Sequence, residues 1–122
     1  MKIRIKGNSI RIRLSKTEVD NFALQGYLEE RTQFIDNALI YALEASNTVS
    51  ELSAKIDGAK ITVQVPLLIA NNWTSTEQVG FENKMSLGNE QSLFLLVEKD
   101  FVCLDNTFED QSDMFPNPNA VC

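Results

Sequence analysis

The sequence contains no histidine and only two cysteines among its 122 residues. Without histidine the chain lacks the usual general base near neutral pH and the commonest transition-metal ligand. It cannot build a Ser-His-Asp or Cys-His catalytic site from its own residues. The two thiols, Cys103 and Cys122, are too few for a structural zinc site. We therefore expect both to be free cysteines in a reducing cytoplasm.

Long apolar runs and phosphate-binding glycine patterns are missing as well. No run approaches the ~18 residues of a membrane-spanning helix. The N-terminus alternates charge with isoleucine and has no apolar stretch of the secretory kind. Neither a Walker loop nor a dinucleotide-binding glycine pattern occurs. We expect a cytoplasmic protein without membrane association and without a catalytic residue that the sequence can name.

Negative charge is absent from the first 16 residues, although the whole chain carries a net charge of −6. The remaining residues, 17–122, hold five basic and 17 acidic side chains, a net charge of −12. Six of the 11 basic residues come first: Lys2, Arg4, Lys6, Arg11, Arg13 and Lys16. This asymmetry favours either an anionic partner at the basic end or a contact between that end and the acidic remainder.

Residues 2–14 alternate charged and apolar side chains around Gly7-Asn8, which predicts a β-hairpin with glycine first in a type II′ turn. One face of this hairpin is apolar and sets Ile5 opposite Ile10. The other face sets Arg4 opposite Arg11 and Lys2 opposite Arg13, and like charges in opposition cost stability. Neighbouring carboxylates, open water or a bound anion must offset that cost.

A short helix is predicted after the hairpin. Ser15 and Glu18 form a capping box, and Gly26 suits the position after the last helical turn. Two further strands are predicted at residues 27–35 and 38–45. The expected buried stripe of the helix comprises Val19, Phe22 and Ala23.

The sequence repeats itself when it is shifted by 51 places, because residues 5–22 then align with residues 56–73 without a gap. The second copy has a hairpin around Gly58, a helix opened by Pro66 and strands at residues 79–85 and 92–99. The side chains expected to bury its helix are Leu67, Leu68, Ile69, Ala70 and Trp73.

This repetition predicts a single α+β domain at residues 1–100, made of two repeats at 1–47 and 48–100. Each repeat is a β-β-α-β-β unit. Together they are expected to form an eight-stranded antiparallel barrel or curled sheet with two helices, since closure would remove exposed strand edges.

Residues 101–122 are predicted to be an acidic C-terminal tail packed on the body of the domain. They contain four acids and no base, yet too many apolar residues for free disorder. The spacing of the acids is not that of an EF-hand calcium loop. The acidic side chains of this tail are Asp105, Glu109, Asp110 and Asp113.

The basic hairpin face is the best candidate site, because guanidinium groups bind phosphate and carboxylate well. The corresponding positions of the second hairpin are mostly neutral, with Thr62 and Gln64 in place of Arg11 and Arg13. The predicted ligand-binding residues are Lys2, Arg4, Arg11, Arg13, Arg31 and Lys84. Candidate metal ligands are Glu29, Glu82 and Glu98. The alternative is an outer face of laddered salt bridges without a ligand.

The segment IRIRLSKTEVDNF, residues 10–22, resembles the start of a ribbon-helix-helix DNA-binding protein. That resemblance implies a basic strand pair, formed by two subunits, in the major groove. Here a strand precedes the segment and Gly26 ends the helix early. The chain is acidic, whereas nucleic-acid binders are usually basic. We therefore expect no nucleic-acid partner.

Two hairpin–helix–hairpin repeats also read as two β-α-βββ units shifted by one strand. In this order the chain resembles the CYTH, or triphosphate-tunnel, superfamily. The resemblance implies eight antiparallel strands around a tunnel lined by Arg, Lys and Glu, with metal-dependent triphosphate hydrolysis or nucleotide cyclisation. The family signature E-x-E-x-K is replaced here by Lys2-Ile3-Arg4-Ile5-Lys6. Mg²⁺ would be the cofactor of that alternative, and otherwise none is expected.

The opening MKIRIKGNSIRIRL and the closing CLD…ED…PNPN resemble a small bacterial family of unassigned function. The first interpretation is a non-enzymatic domain that binds a small anionic ligand or a protein partner through the basic hairpin. The sequence leaves its oligomeric state open.

Overall fold

The computed structural model describes residues 1–101 and Phe115. Two strands, a helix and two strands follow one another, and this order then repeats. The first half consists of β1 (Lys2–Lys6), β2 (Ser9–Leu14), α1 (Lys16–Gln25), β3 (Tyr27–Gln33) and β4 (Ala38–Ser46). The second half consists of β5 (Ser53–Asp57), β6 (Lys60–Pro66), α2 (Leu67–Ser75), β7 (Gly80–Gly88) and β8 (Gln91–Lys99). Within the described residues, no helix is both long and apolar enough to cross a membrane.

The predicted register of the first hairpin is confirmed. Ile3 pairs with Ile12, and Arg4 pairs with Arg11. Gly7 has a φ of +53°, which glycine adopts without the clash that a Cβ atom would cause. The alternation therefore buries one face of β2 in the core and leaves its basic side chains on the other face.

The ends of α1 lie where the local sequence predicted them. The Ser15 hydroxyl accepts a hydrogen bond from the Glu18 backbone N–H, and the Glu18 carboxylate accepts one from the Ser15 N–H at 2.8 Å. Gly26 ends the helix with a φ of +69° and donates its N–H to the Phe22 carbonyl at 2.8 Å. The capping box fixes the point at which the chain turns out of β2.

Both helices bury a narrower face than predicted. Ala23 is exposed, and the side chains of Leu67 and Leu68 are 43% and 83% exposed. Buried positions lie three residues apart in each helix, so one row of side chains meets the sheets. The buried residues are Val19 and Phe22 in α1, and Ala70 and Trp73 in α2. The prediction of burial for Ala23, Leu67 and Leu68 is wrong.

The strands form two separate four-stranded mixed sheets. Sheet A has the order β1-β2-β8-β7 and sheet B the order β3-β4-β6-β5. The outer pairs are antiparallel, whereas the central pairs β2–β8 and β4–β6 are parallel. Over the described residues neither sheet closes on itself, so the predicted eight-stranded antiparallel barrel or curled sheet is wrong.

The prediction failed because the two hairpins joined by each helix lie in different sheets. Each sheet takes its first hairpin from one half and its second hairpin from the other half. A helix of ten residues is ~15 Å long, enough to carry the chain across the ~10 Å between packed sheets. Exchanging the two halves converts the strand order of one sheet into that of the other. The repeat boundaries at 1–47 and 48–100 stay a prediction.

One hydrophobic cluster contains side chains from both sheets and both helices. Trp73 of α2 is fully buried and packs edge-on against Phe22 of α1 and Phe81 of β7, with ring centroids 6.4 and 5.3 Å apart. Its indole N–H donates to the Val79 carbonyl at 3.1 Å. This shared core fixes the inner faces of the sheets and leaves their outer faces to solvent.

The predicted acidic tail lies outside the described residues, apart from Phe101 and Phe115. Its packing on the domain therefore stays a prediction. The same holds for the state of Cys103 and Cys122.

Candidate functional site

The outer face of sheet A is strongly basic. Strand register places six basic and two acidic side chains on it, around the half-buried Leu96 and the 38% exposed Phe94. We call this surface the basic face, and its charged residues are Lys2, Arg4, Lys6, Arg11, Arg13, Glu82, Lys84 and Glu98. Since the opposite side of the same strands is core, all these groups point to one side of the sheet.

Four of the predicted ligand-binding side chains line one shallow depression of about 230 Å³. It is lined by Lys2, Ile3, Arg4, Arg11 and Arg13. The hairpin register explains the convergence, because Lys2 is paired with Arg13 and Arg4 with Arg11. Cross-strand partners stand roughly 4.5–5.5 Å apart at Cβ, so an anion of a few atoms can touch both members of a pair.

Carboxylates at one end of the depression offset part of this charge. Arg13 Nε donates to Glu98 Oε1 at 2.7 Å, and Arg11 Nε lies 3.6 Å from the same oxygen. Lys2 Nζ donates to Asp100 Oδ2 at 2.8 Å. That hydrogen bond lowers the pKa of Asp100 below its ordinary value. Glu98, predicted as a metal ligand, thus lies between two guanidinium groups.

Arg4 and Lys6 form no ion pair with any carboxylate of the described residues. Both are exposed on β1, an edge strand of sheet A. Arg4 stands opposite Arg11, whose nearest carboxylate contact is already shared with Arg13. The like-charge cost of this pair is therefore only partly offset within the sheet. A positive end of the depression is left open to a ligand.

The other two predicted ligand-binding residues do not join the depression. Lys84 shares the basic face but lies on β7, the far edge of sheet A, which is ~14 Å from β1 across three strand spacings. Arg31 lies on β3 of sheet B, where its guanidinium donates to Gln33 Oε1 at 3.2 and 3.3 Å. Only the hairpin residues converge.

The three candidate metal ligands are not brought together. Glu82 and Glu98 lie on sheet A, whereas Glu29 lies on sheet B and accepts a hydrogen bond from the Tyr27 hydroxyl at 2.7 Å. Residues 1–101 and Phe115 contain no group of three or more acidic or thiol side chains arranged to hold a metal ion. With no closed barrel in this part of the chain, the tunnel implied by the CYTH resemblance has no counterpart.

The ribbon-helix-helix resemblance also meets a topological obstacle. In that arrangement the basic strand pairs with the same strand of a second subunit. Here β2 is an inner strand, hydrogen-bonded to β1 on one side and β8 on the other. It has no free edge for a second copy.

The outer face of sheet B is neutral, with three basic and three acidic side chains. Lys60 Nζ donates to the Tyr27 hydroxyl at 2.9 Å and lies 5.3 Å from the centre of the Tyr27 ring. The hydrogen bond to Tyr27 raises the pKa of Lys60 above its ordinary value. We call this surface the polar face, and its charged residues are Glu29, Arg31, Glu44, Lys55, Asp57 and Lys60.

Sequence reasoning missed three features of these two faces. The contact of Glu98 with Arg13 depends on the parallel pairing of β2 with β8, and the Lys60–Tyr27 contact depends on the pairing of β4 with β6. Neither pairing has a local signal. Residues 93–97 of β8 are all apolar, so nothing in the sequence indicated that Phe94 and Leu96 lie on the outer face.

A further polar cluster ties the N-terminus to the helical end of the core. The Met1 side chain is 1% exposed, and the Met1 ammonium pairs with Glu18 and, at 3.2 Å, with Glu30. Burial alone would lower the pKa of this ammonium, but the hydrogen bonds to Glu18 and Glu30 outweigh it and raise the pKa. Tyr41 donates its hydroxyl to the Met1 carbonyl at 2.9 Å. These contacts place the start of β1, and with it Lys2, at the rim of the basic face.

Comparison with known proteins identifies one family. Residues 1–119 match the model described as "Family of unknown function (DUF7009)". No curated protein and no solved structure matches the chain. The match covers both halves and most of the acidic tail, but it assigns no ligand, reaction or partner to any of these residues.

Proposed function

The chain belongs to the family of unknown function (DUF7009), and since membership names no ligand, we propose from the basic face that the protein binds a small, multiply charged anion. The anion carries phosphate or carboxylate groups and lies in the depression of the β1–β2 hairpin. The supporting observation is that four basic side chains line this one depression. A cytoplasmic location and the absence of an enzymatic activity remain predictions from the sequence.

Charge favours an anion at the Arg4 end of the depression. Arg4 has no carboxylate partner among the described residues, and Arg11 is 3.6 Å from one that it shares. Hydrogen bonds between charged groups contribute roughly 1.5–3 kcal/mol each. Two such contacts contribute about 3–6 kcal/mol before the cost of association is subtracted, so we expect weak binding with a dissociation constant no tighter than roughly 0.1 mM.

Size limits the ligand. At about 230 Å³ the depression is smaller than the ~300–1,000 Å³ of pockets for drug-sized molecules. It is also open to solvent along the edge strand β1. These dimensions favour an anion the size of pyrophosphate or a tricarboxylate over a whole nucleotide.

The test is calorimetric titration of the full chain with pyrophosphate and with citrate at low ionic strength. Arg4→Ala is expected to weaken binding about tenfold, since it removes one charge-assisted contact. The matched control is Lys55→Ala, because Lys55 is an exposed base at the corresponding position of β5 and pairs with Thr62 as Arg4 pairs with Arg11. The affinity should also fall as salt is added, because salt screens the charges.

Two results would contradict the proposal. One is the absence of heat or thermal stabilisation with either anion at several millimolar. The other is an equal loss of affinity in Arg4→Ala and Lys55→Ala, which would indicate non-specific attraction to any surface base. Both variants alter exposed residues, so folding is expected to survive in each.

A protein segment that is both acidic and aromatic is the second candidate ligand. Its support is the apolar pair Leu96 and Phe94, which lies on the basic face beside β2. A small anion would not use this pair. Phe94→Ser should therefore leave pyrophosphate binding unchanged and weaken only the binding of such a segment.

A further inference from the structure

The last described residues of sheet A lie at the rim of the basic face. Asp100 follows β8, and its backbone N–H donates to the Leu14 carbonyl at 2.8 Å. Its carboxylate accepts a hydrogen bond from Lys2 at 2.8 Å. The chain therefore leaves the sheet beside Lys2 and Arg13, with its first acidic group already bound to a base of the depression.

The residues that follow have the composition that the basic face would select. Residues 102–114, here called the acidic segment, contain four acids and no base. Phe108 stands between Asp105 and Glu109. The basic face has the converse pattern, with bases around Phe94 and Leu96. The acidic segment is thus opposite in charge to the basic face, and both contain apolar residues.

The distances are compatible with contact. Asp105 is five residues beyond Asp100, a span of up to ~17 Å for an extended chain. From Lys2 to Lys6 the edge strand extends ~13 Å, and the four strands of sheet A are ~14 Å across. The nine residues from 105 to 113 can therefore reach every base of the depression without unfolding β8.

We propose that the acidic segment binds the basic face of its own chain and competes with the anion for Arg4 and Arg11. This inference rests on the proposed anion site and adds its regulation. The Lys2–Asp100 pair would be the start of this contact. Because a short tether gives an effective concentration in the millimolar range, competition should weaken anion binding roughly two- to tenfold.

The experiment compares two full-length variants with the same net charge. The first neutralises the acidic segment with Asp105→Asn, Glu109→Gln, Asp110→Asn and Asp113→Asn. The control neutralises four exposed acids that lie away from the basic face: Asp20→Asn, Asp36→Asn, Glu51→Gln and Glu77→Gln. Far-ultraviolet circular dichroism checks that both variants remain folded.

The primary readout needs no added ligand. In nuclear magnetic resonance spectra, the side-chain Nε–Hε signals of Arg4 and Arg11 should move in the segment variant and stay in place in the control. The Arg31 signal, on the polar face, should not move in either. Unchanged Arg4 and Arg11 signals in the segment variant would overturn the proposal, whether or not the protein binds an anion.

The second readout is titration with pyrophosphate. The segment variant is expected to bind it two- to tenfold more tightly than both the original chain and the control. Equal affinities in all three would overturn the competition. If Arg4 and Arg11 move but no chain binds pyrophosphate, the contact of the segment is supported and the anion site has failed, so the two proposals are separable.

Discussion

The two outer sheet faces occupy equivalent places in the fold yet differ in charge. Exchanging the halves of the chain converts sheet A into sheet B, and the strand partners correspond one to one. The basic face carries six bases and two acids, whereas the polar face carries three of each. Thr62 and Gln64 stand where the basic face has Arg11 and Arg13. The scaffold therefore does not require the charge of the basic face, and it is our proposal that assigns this charge to a ligand.

A second difference lies at the opposite edge of each sheet. Tyr27 of β3 and Gly80 of β7 both pair with a glutamate of the neighbouring strand, Glu44 and Glu98. The Tyr27 hydroxyl donates to Glu29 and accepts from Lys60, which links these two charged side chains of the polar face. Gly80 has no side chain that could contact Glu98, and the Glu98 carboxylate contacts Arg11 and Arg13. Among the described residues, Tyr27 thus links two charged side chains of the polar face, and Gly80 can make no such link on the basic face.

The largest expected effect concerns what the two halves share. Trp73→Ala should lower the free energy of unfolding by about 3–5 kcal/mol, because it opens a cavity where both helices meet. Urea denaturation measures this. Leu68→Ala on the same helix should change stability by less than about 0.5 kcal/mol, because Leu68 is 83% exposed. Similar losses in the two variants would mean that the halves do not share one core.

The next prediction converts the basic face into a copy of the polar face. Arg11→Thr combined with Arg13→Gln should weaken pyrophosphate binding about 10- to 100-fold, because one or two charge-assisted contacts are lost. Stability should change little, since the surface ion pairs with Glu98 contribute at most ~1 kcal/mol. Titration calorimetry measures the affinity, and urea denaturation measures the free energy of unfolding. Full affinity in the double variant would show that the anion does not bind in the depression.

Local signals predicted the hairpin and helix ends, and non-local pairing was beyond them. Alternation around Gly7 defines which residues face each other, so the convergence of Arg4 with Arg11 followed from the sequence. The position of Glu98 did not follow. Any apolar strand face can pack on any other, and nothing in β2 says that β8 is its neighbour. Because the sequence does not show which strands from different hairpins are neighbours, it was also compatible with the closed antiparallel barrel.

Gly80 offers a way to sharpen the comparison of the two edges. Gly80→Ala should destabilise the protein by roughly 1–3 kcal/mol, because its Cβ would lie 2.4 Å from the Val97 carbonyl oxygen and force β7 away from β8. Ser86→Ala, at an exposed position of the same strand, is the control and should be nearly neutral. An unchanged urea midpoint for Gly80→Ala would show that this edge of the basic face is not closely packed.

The smallest expected effect is a pH-dependent contribution to stability that the first half has and the second half lacks. In the second half, the contact corresponding to the Met1–Glu30 pair is uncharged, with Asn83 donating to the Leu52 carbonyl at 2.9 Å. In the first half, burial alone would raise the pKa of Glu18, but hydrogen bonds from the Met1 ammonium and from Ser15 outweigh it and lower the pKa. A lowered folded-state pKa stabilises the protein above the unfolded value of ~4.3, and this contribution is lost as pH falls through the folded value. Glu18→Gln keeps a capping-box side chain and should cost ~1 kcal/mol at pH 7 but almost nothing near pH 2, as urea denaturation at the two pH values would measure. An equal loss of stability at both pH values would mean that the shape of the Glu18 side chain matters and its charge does not.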